Sequence, residues 1–314
     1  MASLIVSGST VSDSPSSGIL SPRNLYTSLD KVRNYLSLAS QQTTDDNNLK
    51  QYIWNASRDI DDYCKRRFYP ERKTRRYDYP ENSQLLRFVD DELLEVYGLS
   101  DLNGASEIDT GAYWPRQGRD WNETPYDRIE LNSNVGSTLN FTGTPQRAIH
   151  LDGVWGHRTN YDNDGWINSG ASLTATMTAT TTMASVSGSA GRNTDGYSPR
   201  MWTEQLWKVD DEYMHVVKSE SASRVRVIRG VNGTTATSHA SAVTVETWKP
   251  EPDIEFCARE LAAFEYMRST TPLTGRITTF GGGITSVEQP FTQGIPPNVQ
   301  ARLRRFIKHR VYSF

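Results

Sequence analysis

Between Thr43 and Pro70 the apolar residues recur at Leu49, Ile53, Ala56, Ile60 and Tyr63, in steps of four, three, four and three. That spacing draws one stripe along an α-helix, and no alternation of period two fits it. Thr44, Asp45 and Asp46 supply an N-cap and first-turn acids, which satisfy free N–H groups and complement the helix dipole. Lys65, Arg66 and Arg67 stand at the end that favours cations, and Pro70 prevents continuation. The predicted helix is about twenty residues, or roughly 30 Å, long. Upstream, Leu29, Val32, Tyr35 and Leu36 share a face after Thr27 and Ser28. The short link to the long helix predicts an antiparallel helical hairpin.

After Pro70 the period changes to two. KTRRYDY, QLLRFV, DELLEVYGLS, the stretch Tyr126 to Leu131 and AIHLDGVWGHR read as short strands separated by turns, with Asn103-Gly104 at a hairpin connection. In the last of them Ile149, Leu151 and Val154 are expected to point one way. From about 166 to 248 the chain turns Thr- and Ser-rich and low in charge. It then gives three β-rich runs, QLWKVDDEYMHVVKS, RVRVIRGVNGT and SAVTVETW, which predict an inserted small barrel or sandwich. Helical spacing returns at Ile254, Cys257, Leu261, Phe264 and Met267, with Asp253 as cap. This stripe matches that of the 44–66 helix, so the two are expected to pack. A Gly-rich link with Gly281, Gly282 and Gly283 leads to a last helix started by Pro296 or Pro297. Its stripe is Val299, Leu303, Phe306 and Ile307, and its remaining surface is basic.

The fold class expected is therefore α+β: an antiparallel helical bundle core with short strands, a large all-β insertion and a C-terminal helical arm. The corresponding division is a flexible segment over 1–20, a first part of the core over 21–165, the inserted β domain over 166–248, a core helix over 249–272, and a linker with a docking helix over 273–314.

A chain of 314 residues with 36% hydrophobic content must concentrate its core in part of its length. The net charge of −3 argues against a general nucleic-acid coat. Cys64 and Cys257 both fall on predicted helix faces and read as small buried hydrophobes. No apolar run approaches the roughly 18–20 residues that cross a bilayer, so no membrane contact is expected. MASLIVSGST lacks the basic and hydrophobic regions of a signal peptide, which predicts a soluble protein made where it works.

A search for chemistry returns no phosphate loop, no dinucleotide fingerprint, no HExxH and no CxxC. His150 and His157 are not spaced as a metal pair without further ligands. Asp90, Asp91 and Glu92 read as an acidic turn in water, as do Asp210, Asp211 and Glu212. No catalytic residue, metal or cofactor is therefore expected. The C-terminal helix, both apolar and basic, reads either as a structural helix with a solvated basic face or as a segment that docks on an acidic protein partner. Nucleic-acid contact is the lesser alternative, since phosphate binding alone would not require Leu303, Phe306 and Ile307.

The stretches YTSLDKVRNYLSL, DDNNLKQYIWNASRDIDDYCKRRFYP and RRYDYP together resemble the head–tail connector (adaptor) proteins of long-tailed bacteriophages. The resemblance lies in a short capped helix, then a long one ending in the aromatic-basic signature Tyr63, Arg66, Arg67, Phe68 and Tyr69 before a strand. The segment Gly153 to Arg158 and the helix at 253–269 are similar in kind. The run VDDEYMHVV…RVRVIRGVNGTTATSHA resembles a small β module of several phage virion proteins. A compact connector lacks that module, which leaves its role open. The resemblance implies a homo-oligomeric ring, usually twelve-fold, between the portal and a tail-completion, stopper or tail-tube protein. Genomic DNA passes through its bore without specific binding. It implies location in the virion neck, with assembly in the host cytoplasm. In such proteins the C-terminal segment commonly reaches the portal. Here Arg302, Arg304, Arg305, Lys308 and Arg310 would meet acidic portal groups while Leu303, Phe306 and Ile307 fill apolar grooves. Tyr52, Trp54, Arg58 and Arg66 are the candidate contacts between subunits. Two other readings compete: a tail-associated carbohydrate-binding or hydrolysing protein using the Thr-rich insert, and a DNA-binding packaging factor using the basic tail.

Overall fold

In the computed structural model, residues 24–39, 43–88, 91–117, 123–270 and 294–308 are described. The expected segment 1–20, the glycines at 281–283 and Arg310 lie outside them. Helices α1 (Leu29–Tyr35) and α2 (Asp46–Cys64) come first. Seven strands follow: β1 (Glu71–Tyr77), β2 (Leu85–Arg87), β3 (Leu93–Asp101), β4 (Ser106–Ile108), β5 (Tyr113–Arg116), β6 (Arg128–Leu131) and β7 (Ile149–Trp155). The short helix α3 (Tyr161–Asp164) precedes β8 (Trp166–Ser172), β9 (Met183–Ser185), β10 (Leu206–Val209), β11 (Glu212–Ser221), β12 (Arg224–Ile228) and β13 (Thr244–Trp248). The last elements are α4 (Pro252–Thr270) and α5 (Pro297–Leu303).

This order corrects the expected fold class. A helical bundle is not the core; among the described residues three antiparallel sheets carry the chain. α1, α3 and α5 are only 7, 4 and 7 residues long, too short to enclose a bundle. The period-two runs, by contrast, find partners far along the chain. The first sheet has the order β1-β7-β3-β4, and the small second sheet β2-β6-β5 shares one apolar core with it. Leu86, Leu99, Ile129, Ile149, Leu151 and Trp155 fill that core.

The residues 166–248 make the third sheet, ordered β8-β13-β10-β11-β12-β9. It curls around its own core of Trp207, Met214, Val216, Val225, Val227 and Val245. A barrel expected there is corrected: β8 and β9 are edges, joined beyond their ends only by an isolated bridge between Leu173 and Val186. Val154 does not share the face of Ile149 and Leu151. It packs with Leu94, Tyr213, Val231 and Trp248 at the seam between the first and third sheets. Alternation along β7 requires this separation, since Ile149, Leu151 and Trp155 share one face and Val154 falls on the other. Gly153 between them lets β3 approach, because a Cβ there would stand 2.5 Å from the Glu95 carbonyl oxygen.

The helices form a layer beside the sheets. Leu49, Ile53, Ala56 and Ile60 of α2 are buried as their stripe demands, and they pack against α4. On α4 the buried face runs through Ile254, Cys257, Ala258, Leu261, Ala262 and Ala263. Ile254 and Leu261 pack with α2 as expected, but Phe264 is only half-buried and Met267 is exposed, and Ala258, Ala262 and Ala263 complete the buried face instead. Small side chains let two helix axes approach closely, which the stripe alone does not reveal. Asp45 makes no side-chain cap bond. It accepts from Tyr266 Oη of α4 at 3.0 Å, while Asp46 takes both oxygens to Arg33 Nη1 at 2.9 and 3.1 Å. The first-turn acids thus tie α2 to its neighbours.

Candidate functional site

α2 ends at Cys64 because Lys65 turns left-handed, with φ 54°, and the three cations expected in the last turn stand beyond it. That turn aims Phe68 inward. Phe68 is fully buried, and its ring meets the edges or faces of Tyr26, His157 and Phe306 at centroid distances of 5.8, 5.5 and 5.8 Å. Its amide donates to Tyr26 Oη at 2.9 Å, and that hydroxyl donates in turn to the Asp61 carboxylate. Burial pushes the Asp61 carboxyl up to about 7, against the opposing attraction of Arg58, whose Nη1 lies 3.1 Å away.

Beside this aromatic cluster is a polar triad, with His157 buried and Arg66 and Glu92 half-buried. Arg66 Nη1 stands 2.9 Å from Glu92 Oε1, and His157 Nδ1 is 2.7 Å from both Arg66 Nη1 and Glu92 Oε2. One ring nitrogen cannot serve both at once: unprotonated it accepts from the guanidinium, and protonated it donates to the carboxylate. Burial opposes ionisation of Glu92, but the hydrogen bond and charge of His157, together with Arg66, hold its carboxyl below the usual range. Next along the chain, Arg158 Nη1 donates to Glu251 Oε2 at 2.9 Å, just ahead of α4. A cleft of about 600 Å³ opens over the junction, with Arg66, Glu92, Asp127, His157, Glu251 and Arg305 on its walls. Glu92 is therefore not an acidic turn in water, and Asp91 pairs with Arg75.

The β module holds a second hub. Glu212, expected in a solvated turn, is fully buried and accepts five hydrogen bonds. The donors are Arg229 Nε and Nη2 at 2.7 Å, Gly230 N and Thr237 N at 2.9 Å, and His239 Nε2 at 2.8 Å. Burial opposes its charge, and these partners outweigh burial and keep the carboxyl below its ordinary range. The turn these bonds shape projects Asn232 and Gly233 onto β1. Arg72 N donates to Asn232 O at 2.8 Å, and Asn232 Nδ2 donates to Pro70 O and Asn24 Oδ1, each at 2.9 Å. Gly233 has φ +82°, and a Cβ on it would fall 1.9 Å from the Arg72 carbonyl oxygen. The module is latched to the first strand, directly after the aromatic-basic turn.

Several residues expected to meet other proteins are spent within the chain. Leu303 and Phe306 are buried against Ile60, Cys64, Phe68 and Ile254, so they fill this chain's own groove. Lys308 N donates to Cys64 O at 2.8 Å, and Ile307 is half-buried. Arg302 and Arg305 pair with Asp253, Arg302 at 3.6 Å. Arg304 is exposed. Of the subunit-contact candidates, Arg66 belongs to the triad. Arg58 lies over the Tyr26 and Tyr69 rings, with centroids at 5.6 and 5.3 Å. Tyr52 is half-buried beside α4, and Trp54 is 37% exposed. Cys64 and Cys257 are free and buried, and burial pushes their thiols up to about 12 and about 11.

The parts played by Tyr26, Glu92, His157, Glu212 and Asn232 escaped the sequence reading. Only Asn232-Gly233 carried a local signal, as a turn dipeptide. Among the described residues no helix is long and apolar enough to cross a membrane, and no group of three or more His, Cys, Asp or Glu could hold a metal ion. Compared with known proteins, the chain matches no family model, no curated protein and no solved structure.

Proposed function

We propose that the chain is a structural, non-enzymatic subunit of the neck of a long-tailed bacteriophage. Copies form a ring, in the twelve-fold manner of connectors, between the portal and the next neck or tail protein, and the genome passes through the bore. One observation supports this reading above others. The stretches that resemble connectors are separated by as much as some two hundred and thirty residues, from Tyr26 to Cys257, yet they converge on a single junction. Tyr26 comes from the first stretch, Phe68 and Arg66 from the aromatic-basic signature, His157 from the Gly153–Arg158 segment, and Ile254 and Cys257 from the 253–269 helix. Residues that share one junction belong to one architectural unit, whereas a chance likeness of composition would scatter them. The polar groups there are mostly paired with each other, as suits a scaffold that bears load.

The reading places assembly in the host cytoplasm and the mature ring in the virion neck. Portal contact falls first to the exposed Arg304, since the apolar side of that segment is occupied and Arg302 and Arg305, though exposed, pair with Asp253. The test is the mass of the purified protein, alone and mixed with portal, by native mass spectrometry or light scattering. Rings, or a discrete complex of ring on ring, are expected. A monomer that ignores the portal under all salt conditions refutes the proposal.

A further inference from the structure

The four-stranded sheet ends in two open edges of opposite charge. β1 is one edge. Its Arg72 N–H points away from β7, toward Asn232, so Thr74 and Arg76, two and four residues on, turn their backbone groups the same way. Among the described residues neither finds a backbone partner on that side. β4 is the opposite edge, and its outer side is likewise unpaired among the described residues.

The registers align these edges level with each other. Arg76 lies opposite His150, His150 opposite Ser100, and Ser100 opposite Glu107. The adjacent row, Arg75, Leu151, Leu99 and Ile108, belongs to the buried face: Leu99 and Leu151 are fully buried, and Arg75 lies 4.3 Å over the Trp155 ring. Side chains alternate along a strand, so Arg76 and Glu107 share the outer face. Both are exposed, and among the described residues neither has an ion-pair partner. A single row of the sheet therefore starts at an unpaired cation and ends at an unpaired anion.

Strand number decides what such a sheet can join. All neighbours are antiparallel and there are four strands, so β1 and β4 run in opposite directions. A second copy in the same orientation then offers its β4 to β1 as an antiparallel partner. An odd number of strands would have made the joint parallel. We infer that a second copy of this chain adds its β4 to the free stretch of β1, setting Glu107 of one subunit beside Arg76 of the next, so that the sheets continue from subunit to subunit. This rests on the ring reading and names its joint. Cations on an edge strand often serve to block pairing; here an anion at the same level on the opposite edge converts the guard into a lock. Such a contact uses two different surfaces, which is the heterologous kind that closes a ring. Asn232 and Gly233 cover the start of β1, which limits the joint to the residues around Thr74 and Arg76 and sets its register.

The experiment uses the full chain, at low salt, under the conditions in which the wild type assembles alone or on portal. Arg76→Glu and Glu107→Arg place like charges at the joint. Each is expected to raise the concentration needed for assembly at least tenfold while the circular dichroism spectrum stays unchanged. The doubly reversed chain, Arg76→Glu with Glu107→Arg, is expected to recover assembly to within about threefold of wild type. Rings that survive either single reversal at the wild-type concentration overturn the joint and leave the ring standing. So does a folded double variant that fails to recover. A wild type that never assembles, alone or with portal, overturns the ring and this joint together.

Discussion

Glu212 offers the sharpest test of how the β module is held. Glu212→Gln keeps the shape and removes the charge. Its side chain is 0% exposed and Arg229, its main partner, is 5% exposed. The carboxylate oxygens accept five hydrogen bonds, so whichever position the new amide nitrogen takes, N–H groups are aimed at N–H groups. The guanidinium, meanwhile, is left buried and unneutralised. Breaking a buried pair from one side costs about 3–5 kcal/mol, whereas replacing both partners by apolar groups costs much less. Urea unfolding followed by circular dichroism should therefore show Glu212→Gln destabilised by about 3–5 kcal/mol, and the double variant Glu212→Met with Arg229→Met by clearly less. The pH dependence follows in sign. The folded carboxyl titrates below its unfolded value, so its contribution is present above about pH 4.5 and is lost as pH falls through the folded pKa. A single substitution costing less than about 1 kcal/mol, the scale of a surface pair, would refute the reasoning.

Gly233→Ala adds a methyl group 1.9 Å from the Arg72 carbonyl oxygen in left-handed backbone. The backbone alone costs roughly 1–2 kcal/mol, so the turn should leave β1 and the Arg72 amide should exchange faster with deuterium; unchanged protection would count against the latch. Phe68→Ala empties the fully buried centre of the aromatic junction and should cost about 3–5 kcal/mol in thermal or urea unfolding. A loss below about 1 kcal/mol would show that the junction is not a structural centre. Asp61 binds its proton more tightly folded, at about 7, than unfolded, so its contribution is full below about pH 4 and is lost as pH rises through 7. The loss is at most about 4 kcal/mol, with the opposing attraction of Arg58 already contained in it. Asp61→Asn should flatten the stability profile between those limits, and an unchanged slope would contradict the assignment.

The local pattern of the chain determined its elements. The steps of four and three from Leu49 to Ile60 required a helix with that stripe buried, because a helical period puts those residues on one side whatever surrounds them. The β-rich runs likewise declared themselves, as did two cysteines destined for burial. Local spacing says nothing about which partner a strand will find, and that is where the helical bundle failed. β1 pairs with β7 across more than seventy residues, and only their joining makes the first sheet the frame of the chain. The candidate site was legible in part: the aromatic-basic signature marks the turn after α2, yet Glu92 and His157 carry no local signal that they will meet Arg66. The same holds for the acidic runs. Asp210, Asp211 and Glu212 look alike in sequence, and burial alone singles out Glu212, because a carboxylate removed from water must gather its donors from wherever the fold brings them. The basic, apolar C-terminal stripe was expected to dock on a separate partner, and the tertiary structure instead covers Leu303 and Phe306 within the same chain. A hydrophobic stripe specifies that it must be covered; it does not specify by what.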